Sequence, residues 1–432
     1  MKKGLLVLAM ITIFAVSSLI ANGLSLNSLG PRALGMGGAM VGLADDPTAI
    51  YWNPAGLAGQ NSSLLIFGTD VIPYASYKNA TYGIDAKAKV NNYISPNLFF
   101  NYNLGKLALG LGAYVPAGLG TEWDGKDLVV FNGPNPIPVV IPGDTIYVDN
   151  PYAGKAFKWK SKIAVFDFSP NLAYKISDMI SVGAGLNAYY GMMELERAED
   201  LVNLLAQFGL DHDGLLDTQV DYKINGWGFG GLAGIKICPM DNLSIGFTYK
   251  TPVNVNFSGD GHIGENAITV DKLEIEWPMW LGGGISFNIT DKWLISFDAQ
   301  YSNWKSLKEL YANIKLPDGS TKVDTMYLDW KDATQIRVGT EYMLNEQLTI
   351  RAGYYYDPAP APDETLNILF PSSTNNVITG GLGYVINKFK VDFGIEYLMG
   401  KERDVAQAEH NMPGIHKLDV LAFSLGVCIG LM

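Results

Sequence analysis

Residues 421–431 read LAFSLGVCIGL and alternate large apolar residues with small ones along the whole stretch. Successive side chains of a β-strand point to opposite faces, so in a strand all the large residues would share one face. A soluble sheet with one buried face carries many charged residues on its other face, and this stretch has none. The alternation is typical of a transmembrane β-barrel strand, whose large residues face lipid and whose small residues face the lumen.

The same alternation recurs along the chain, for example in residues 292–302 and 391–400. Very short turns between the strands alternate with long polar loops, as in barrels with periplasmic turns and external loops. The pattern predicts an all-β fold, an antiparallel transmembrane β-barrel of about fourteen strands. The predicted strands cover residues 62–74, 93–103, 107–116, 158–176, 180–195, 218–238, 243–258, 267–288, 292–315, 325–344, 347–356, 375–386, 389–400 and 415–431.

Residues 27–59, NSLGPRALGMGGAMVGLADDPTAIYWNPAGLAG, lack this alternation. Their many small residues let backbone pack closely against backbone, which a segment buried inside a tube requires. Two helix starts follow, because Asp46 precedes Pro47 and Asn53 precedes Pro54, and an Asp or Asn side chain caps a helix that opens with proline. We expect an N-terminal helical hatch that plugs the lumen. The alternative is a helical cap that only fills space.

The triplet Asn53-Pro54-Ala55 resembles the hatch motif of the FadL/TodX (OMPP1) family of outer-membrane proteins. Further stretches that resemble this family are residues 114–123 (YVPAGLGTEW), 226–230 (GWGFG), 330–333 (WKDA), 337–339 (RVG), 351–354 (RAGY) and 357–366. The resemblance implies the same strand number, and it implies an outer-membrane channel that takes up long-chain fatty acids or aromatic hydrocarbons.

The opening segment leaves an alternative function. Other outer-membrane families, including PorV-like secretion components, begin with a similar GxGGA…DD…WNPA segment. The alternative function is therefore a structural or secretion-associated outer-membrane barrel without small-molecule transport. The chain departs from many outer-membrane barrels in one respect, since it ends in Gly430-Leu431-Met432 and not in the aromatic residue that the assembly machinery reads.

Composition agrees with an exported barrel. Charged residues make up 17% of the chain, below the roughly 25% of soluble domains, while 48 Gly, 23 Tyr and 9 Trp suit packed strands and aromatic girdles. The net charge of −12 argues against a nucleic-acid partner, which would need a basic face.

The N-terminus has the features of an export signal. A charged start, Met1-Lys2-Lys3, precedes an apolar run at 5–20 and small residues at 21–23. We therefore expect a signal peptide at 1–22, the hatch at 23–60 and the barrel at 61–432, located in the outer membrane. Cys238 and Cys428 are too few for a disulfide framework, so a single bond or two unrelated thiols both stay open.

No motif predicts an enzyme, a metal site or a cofactor. The four histidines all fall in or beside predicted external loops without HExxH spacing, and the chain has no GxSxG nucleophile elbow. Function is then expected from passive transport. The expected partners are hydrophobic small molecules, membrane lipids and detergent, and a single barrel is expected to be the working unit.

Pro116, Ala117 and Gly118 end the third predicted strand. Proline cannot donate to a β-ladder and glycine weakens it, so this strand should bend or lose a partner here. In FadL-type barrels an inward kink of the third strand opens a side window for lateral release. The resemblance therefore implies a lateral opening at these three residues, and the alternative is an ordinary strand end.

Residues 196–216 carry the only long helical pattern outside the signal and the hatch, with Leu201, Leu204, Leu205 and Phe208 on one face. An apolar face in an external loop favours capture of apolar ligands or packing against the barrel rim. The charged residues predicted to face the lumen either hold a carboxylate head group or pair with one another and with the hatch. They are Lys236, Lys250, Asp298, Arg337, Glu341, Arg351, Asp392 and Glu396.

Overall fold

The computed structural model describes residues 23–132, 137–141, 144–148, 156–199 and 218–431. The predicted signal peptide lies outside these residues. The helices are α1 Pro31–Gly35, α2 Ala49–Trp52 and four 3-10 helices, Pro54–Leu57, Gly125–Asn132, Trp304–Ser306 and Asp363–Thr365. Among the described residues, no helix is both long enough and apolar enough to cross a membrane.

The described residues form twenty-two strands. They are β1 Ser63–Asn79, β2 Ile84–Lys87, β3 Tyr93–Leu104, β4 Leu107–Trp123, β5 Ile137–Ile141, β6 Asp144–Val148, β7 Trp159–Lys175, β8 Ile180–Glu199, β9 Thr218–Met240, β10 Leu243–Lys250, β11 Val253–Ile263, β12 Asn266–Trp277, β13 Trp280–Thr290, β14 Trp293–Ser302, β15 Glu309–Lys315, β16 Thr321–Tyr327, β17 Ala333–Met343, β18 Leu348–Asp357, β19 Asn375–Ile386, β20 Phe389–Gly400, β21 Arg403–Val405 and β22 Gly414–Gly430.

Fourteen of these strands form a closed antiparallel barrel, which confirms the predicted fold class and strand number. Their order around the wall is β1, β3, β4, β7, β8, β9, β10, β13, β14, β17, β18, β19, β20 and β22. The barrel closes because β22 pairs with β1 from Ser63↔Gly430 to Lys78↔Ile415. Closure pairs the first and last strands, which would otherwise be open sheet edges in the membrane, where water cannot satisfy backbone groups.

Four predicted strands are each interrupted in the structure. Residues 243–258 divide into β10 and β11 at Pro252, and 267–288 divide into β12 and β13 at Pro278. The outer pieces β11, β12, β15 and β16 pair with one another and with the upper part of β9, so they extend the wall beyond the membrane. Proline lacks the N–H that a continuous ladder needs, which accounts for two of the breaks.

Side chains alternate around the wall as predicted. On β22, Leu425 is 59% exposed on the outer face while Ser424 beside it is 1% exposed. On β7, Leu172 is 54% exposed and Asn171 is 4% exposed. The outer face therefore carries the apolar belt that lipid covers, and the lumen-facing residues are small or polar. Cys238 and Cys428 are free thiols.

Residues 29–57 fill the lumen, and nearly all of them are buried. α1 packs against β18, β19, β20 and β22, and the 3-10 helix Pro54–Leu57 packs against β7, β8 and β9. Asn53 caps that 3-10 helix as predicted, accepting the Ala55 N–H at 3.2 Å. Asp46 was also expected to cap a helix. It accepts the Thr48 N–H at 2.8 Å, but α2 begins only at Ala49, so Asp46 closes a turn just before the helix.

Candidate functional site

The wall is interrupted between β3 and β4. Their backbone ladder runs from Leu104↔Leu107 up to Leu98↔Ala113 and stops there. Above that point, β3 keeps its ladder with β1 and β4 keeps its ladder with β7, and the described residues show no further β3–β4 ladder. β4 also carries one extra residue relative to β7 between Tyr114 and Ala117. A bulge of this kind bends a strand and raises its twist, so the two strands separate toward the outside.

Side-chain and hatch groups replace the missing ladder on the β4 edge. The Val115 N–H donates to Asn97 Oδ1 at 2.9 Å, and Asn97 Nδ2 donates to the Ser95 carbonyl at 3.0 Å. The side chain of Asn97 therefore satisfies a backbone N–H at the bulge that the backbone of β3 no longer reaches. This matters because a buried backbone group is costly when unpaired.

Residues 23–28, here called the N-terminal segment, continue this replacement inside the wall. The Leu26 N–H donates to the Pro116 carbonyl at 2.9 Å, and the Gly118 N–H donates to the Leu24 carbonyl at 3.0 Å. The segment thus pairs with β4 along the stretch that β3 has left. At its other end Asn27 binds the wall, donating from Nδ2 to Asp357 at 3.0 Å.

A cavity of about 480 Å³ lies between the N-terminal segment and the wall. Its lining combines lumen-facing side chains such as Thr121 and Leu398 with Ile94 and Met192, which are 73% and 40% exposed on the outer surface. Because both kinds of side chain line one space, the cavity passes through the wall between β3 and β4. We call it the lateral cavity.

A second, smaller cavity of about 40 Å³ lies on the other side of the N-terminal segment, and Ser25 lines both. This inner pocket is walled by aromatic residues of the hatch and of the barrel, including Tyr51, Trp277 and Trp280. Burial raises the pKa of Tyr51 to about 12, so its hydroxyl stays neutral. Lys250 Nζ lies 3.2 Å from the centroid of the Tyr51 ring.

Most of the charged lumen residues hold the hatch or pair with one another, as one of the two sequence interpretations expected. Arg32 of α1 binds Asp45 at 2.5 Å and Glu341 at 2.9 Å, and Glu341 also binds Arg351 at 2.5 Å. Burial opposes the charge of Arg32, but the surrounding carboxylates outweigh it and hold the pKa of the guanidinium well above its usual value.

Three further wall residues bind hatch backbone. Arg337 donates to the carbonyls of Gly37 and Asn27, each at 2.8 Å. Asp298 accepts the Val41 N–H at 2.8 Å, and Lys236 Nζ donates to the Leu43 carbonyl at 2.5 Å. The hatch is therefore fixed to several sides of the barrel rather than resting loosely in it.

Above the hatch, the outer lumen is closed by an apolar cluster that sequence reasoning missed. The loop after β18 inserts Leu366, Ile368, Leu369 and Phe370, all at most 3% exposed. Trp123 Nε1 donates to the Ile368 carbonyl at 3.1 Å and fixes the loop to β4. This loop was expected only as a long polar connection, although its short run of apolar residues is visible in the sequence.

The structure places the predicted site residues as follows. Asn53, Pro54 and Ala55 are buried in the hatch, and Asn53 Nδ2 donates to the carbonyls of Val41 and Ile235, each at 3.1 Å. Pro116, Ala117 and Gly118 lie at the β4 bulge beside the N-terminal segment. The predicted capture residues Leu201, Leu204, Leu205 and Phe208 lie outside the described residues.

Two groups that bind the β4 edge at the break between β3 and β4 were not found from the sequence. They are Asn97 and the N-terminal segment, and only the pairing of Asn97 with the Val115 N–H reveals the first. The sequence did contain one signal, because Pro96 lies within a predicted strand next to Asn97, where proline is unusual in a central strand.

Comparisons with known proteins agree with this architecture. Residues 143–431 match the family model described as outer membrane protein transport protein (OMPP1/FadL/TodX). The long-chain fatty acid transport protein of Salmonella typhi is 27% identical over 279 residues, which cover 58% of this chain and 62% of that protein. Outer membrane protein P1 of Haemophilus influenzae is 24% identical over 425 residues, which cover 85% of this chain and 84% of that protein.

Solved structures show the same fold. A Pseudomonas aeruginosa FadL homologue superposes with a TM-score of 0.75 at 17% identity, covering 95% of this chain and 100% of that one. The Pseudomonas putida toluene transporter TodX gives 0.70 at 18% identity, covering 94% and 98%. The match to the fatty acid transport proteins, by contrast, spans less than two thirds of their length, 62% and 65% in two of them.

The family match covers more than half of the chain and includes the closing strand of a barrel whose outer face is apolar. The chain therefore belongs to the outer membrane protein transport protein family (OMPP1/FadL/TodX), and its barrel is an outer-membrane barrel.

Proposed function

We propose that this chain takes up hydrophobic compounds, long-chain fatty acids or aromatic hydrocarbons, by passive diffusion through the outer membrane and releases them sideways. Similar proteins are described as a long-chain fatty acid transport protein and as a toluene transporter. The observation that carries the lateral step is the break between β3 and β4, with the lateral cavity passing through it.

The proposed route runs from the outside to the inner pocket, past the N-terminal segment, and into the lateral cavity. External capture is assigned to Leu201, Leu204, Leu205 and Phe208, and lateral exit to the wall at Pro116, Ala117 and Gly118. Partition of the alkyl chain into lipid supplies the driving force, at about 0.8 kcal/mol per CH2 buried. Neither a cofactor nor a catalytic step is needed.

In this proposal residues 23–60 act as a hatch that prevents movement along the barrel axis, with Asn53, Pro54 and Ala55 at its centre. The ion pairs of Arg32 and the wall contacts of Asn53 support this role, because they tie the hatch to both sides of the lumen. The barrel at 61–432 would work as a single unit surrounded by membrane lipid or detergent.

The lateral step is tested by obstructing the opening with a large side chain at Gly118. A Cβ on Gly118 meets only the Ile163 carbonyl, at 3.4 Å, so Gly118→Trp is accommodated by the backbone and places its ring in the lateral cavity. Gly68→Trp is the matched control, because Gly68 lies exposed on the outer face of β1 with no atom within 4 Å of its Cβ position.

Uptake of labelled oleate and toluene is measured in cells that lack their own transporter and express each variant. Gly118→Trp should slow uptake of both compounds, and Gly68→Trp should not, with folding checked by heat-modifiable mobility on gels. Equal uptake by Gly118→Trp and the unchanged protein contradicts lateral release. If cells that express the unchanged protein take up neither compound faster than cells that lack it, the result favours the structural or secretion-associated function instead.

A further inference from the structure

The loop between β18 and β19, residues 358–374, fills the outer lumen with its own apolar side chains. Phe370 lines a space of about 10 Å³ together with Met193 and Leu195 of β8 and Leu273 of β12. In the order of strands around the wall, β8 lies on the far side of the barrel from β18. The loop therefore reaches across the lumen, between the outside and the inner pocket.

Two anchors at the rim hold the ends of the inserted stretch. The Met412 N–H donates to the Leu366 carbonyl at 2.9 Å, and Arg403 Nη1 donates to the Ser372 carbonyl at 2.9 Å. Residues 367–371, here called the outer flap, lie between these anchors. The flap can therefore move without releasing the rest of the loop.

The backbone of the outer flap finds acceptors within the flap itself. Asn367 Oδ1 accepts the N–H of Leu369 at 3.0 Å and the N–H of Phe370 at 2.9 Å. A buried backbone group is costly when unpaired, and an Asn side chain that bonds the backbone just after it relieves that cost locally. The flap keeps these two bonds wherever it goes, so leaving the lumen does not break them.

Two side chains of β4 hold the flap in the lumen. Trp123 Nε1 donates to the Ile368 carbonyl at 3.1 Å, and Thr121 Oγ1 donates to the same carbonyl at 3.3 Å. Both donors lie on β4 above its bulge, beside the break in the wall. Pro371, the last residue of the flap, lines the lateral cavity. The flap thus contacts the strand at whose edge the wall is interrupted.

The apolar side chains of the flap decide what can displace it. Ile368, Leu369 and Phe370 are each at most 3% exposed, so moving them out of the lumen removes apolar contacts from the surrounding wall. An apolar molecule that takes their place restores those contacts. A polar solute does not, because burying its polar groups without hydrogen-bond partners is costly.

We propose that the outer flap closes the barrel against polar solutes and is displaced by apolar cargo, which takes the place of Ile368, Leu369 and Phe370. Trp123 and Thr121 hold the flap closed through the Ile368 carbonyl and so set how often it opens. This inference rests on the proposed function, since it concerns the entrance to the same route.

The test measures how fast a thiol on the flap becomes accessible from outside the cell. Leu369→Cys is placed in a Cys238→Ser, Cys428→Ser background and expressed in cells that lack their own transporter. The label is a maleimide on a polyethylene glycol too large to cross the outer membrane. Labelling rates are compared without additive and with oleate, toluene or sucrose.

Oleate and toluene should each speed the labelling of Leu369→Cys, and sucrose should not. A compound that binds only the open state raises the open population about tenfold when its concentration is ten times its dissociation constant. Labelling follows this open population, because only the open state exposes the thiol. Uptake of both compounds is measured in the same cells.

Ile268→Cys is the matched control for general loosening of the outer lumen. Ile268 is 3% exposed and belongs to the same buried cluster, but it lies on β12 and does not line the space beside Phe370. Its labelling should stay slow with every additive. Heat-modifiable mobility reports whether each barrel has folded.

The two donors of β4 are tested without cargo. Trp123→Phe keeps an aromatic ring but removes the N–H, and it should speed labelling of Leu369→Cys about two- to tenfold, as expected for loss of one hydrogen bond of ordinary net strength. Thr121→Val removes the second donor and should act in the same direction. Trp227→Phe changes an exposed tryptophan on the outer face of β9 and should have no effect.

The outcomes separate the flap from the proposed function. If the cells take up oleate and toluene while labelling of Leu369→Cys stays unchanged, the flap is wrong although transport stands. An equal rise at Leu369→Cys and Ile268→Cys also overturns the flap. Faster labelling of Leu369→Cys alone, without uptake, supports the flap and overturns the proposed transport. If neither uptake nor faster labelling is seen, both fail together.

Discussion

Asn53→Ala should release the hatch locally while leaving the barrel folded. Asn53 is fully buried, and its amide makes three contacts that no solvent can replace. It accepts the Ala55 N–H at 3.2 Å and donates to the carbonyls of Val41 and Ile235, each at 3.1 Å. Ile235 belongs to β9, so one of these bonds joins the hatch to the wall.

The size of the effect follows from these three groups. Each hydrogen bond contributes about 1 kcal/mol net, and a buried group left unpaired costs about 1–3 kcal/mol, so the hatch loses about 3–6 kcal/mol of local stability. That loss corresponds to roughly a hundred- to ten-thousandfold drop in hydrogen-exchange protection, since about 1.4 kcal/mol is a factor of ten.

The assay is hydrogen exchange by mass spectrometry on the purified protein in detergent. Peptides covering residues 49–58 should lose protection, and peptides from β13 and β18 should not. Gln60→Ala is the control, because the Gln60 amide also makes three contacts, with the carbonyls of Ala44, Asp46 and Gly56, but it is only half-buried. Unchanged protection in Asn53→Ala, or an equal loss in Gln60→Ala, would refute the reasoning.

Three further changes test other parts of the account. Leu111→Lys puts a charge on the lipid-facing side of β4 and should cost about 2–4 kcal/mol in urea unfolding from lipid vesicles, whereas Leu107→Lys, at the first residue of the strand, should cost about 0–1 kcal/mol. Equal costs would contradict the inference that Leu111 lies deeper in the lipid than Leu107. Asn97→Ala leaves the Val115 N–H without its acceptor and should speed amide exchange at the β4 bulge, with exchange in β18 unchanged; no change there would show that Asn97 does not hold the bulge. Arg32→Met removes the ion pair of Asp45 and leaves Glu341 with Arg351 alone, so it should raise proteolytic cleavage of the hatch in detergent. Resistance equal to that of the unchanged protein would count against this anchor.

The barrel was predictable because a membrane strand must alternate lipid-facing and lumen-facing residues. Residues 421–431 show this directly, with large apolar residues on one face and small uncharged residues on the other. The breaks near Pro252 and Pro278 were not predicted, although proline marks both positions. The alternation of apolar and polar residues continues past both prolines, because β11 and β12 also have one buried face. The outer extension becomes visible only from its pairing partners.

The hatch was predictable as a small-residue segment, and the structure shows why the facing wall is also small. A Cβ at Gly246 would overlap the Val41 carbonyl, and one at Gly339 would overlap the Met36 carbonyl. Close approach of two backbones thus requires glycine on the wall. The sequence shows which wall residues are glycine. It does not show which hatch residue each glycine contacts, because that depends on how the chain folds back into the lumen.

The break in the wall between β3 and β4 was predictable on one strand only. Pro116 and Gly118 mark the β4 edge, whereas the N-terminal segment and Asn97 act through contacts between residues distant in sequence. The partners of the charged lumen residues were equally hidden in the sequence. Sequence could place Lys250 and Arg337 in the lumen alike, but only the structure shows that Arg337 binds the hatch while Lys250 faces a pocket.

The central claim is that cargo leaves through the wall beside the N-terminal segment and not along the barrel axis. The most direct measurement is cross-linking in intact outer membranes with a fatty acid that carries a photoreactive diazirine on its chain, followed by mapping of adducts by mass spectrometry. The account predicts adducts on residues 24–28 and on 115–121 of β4. Adducts concentrated at Asp45, Asp46 and Gln60, on the inner side of the hatch, would instead show passage through the hatch and contradict lateral release.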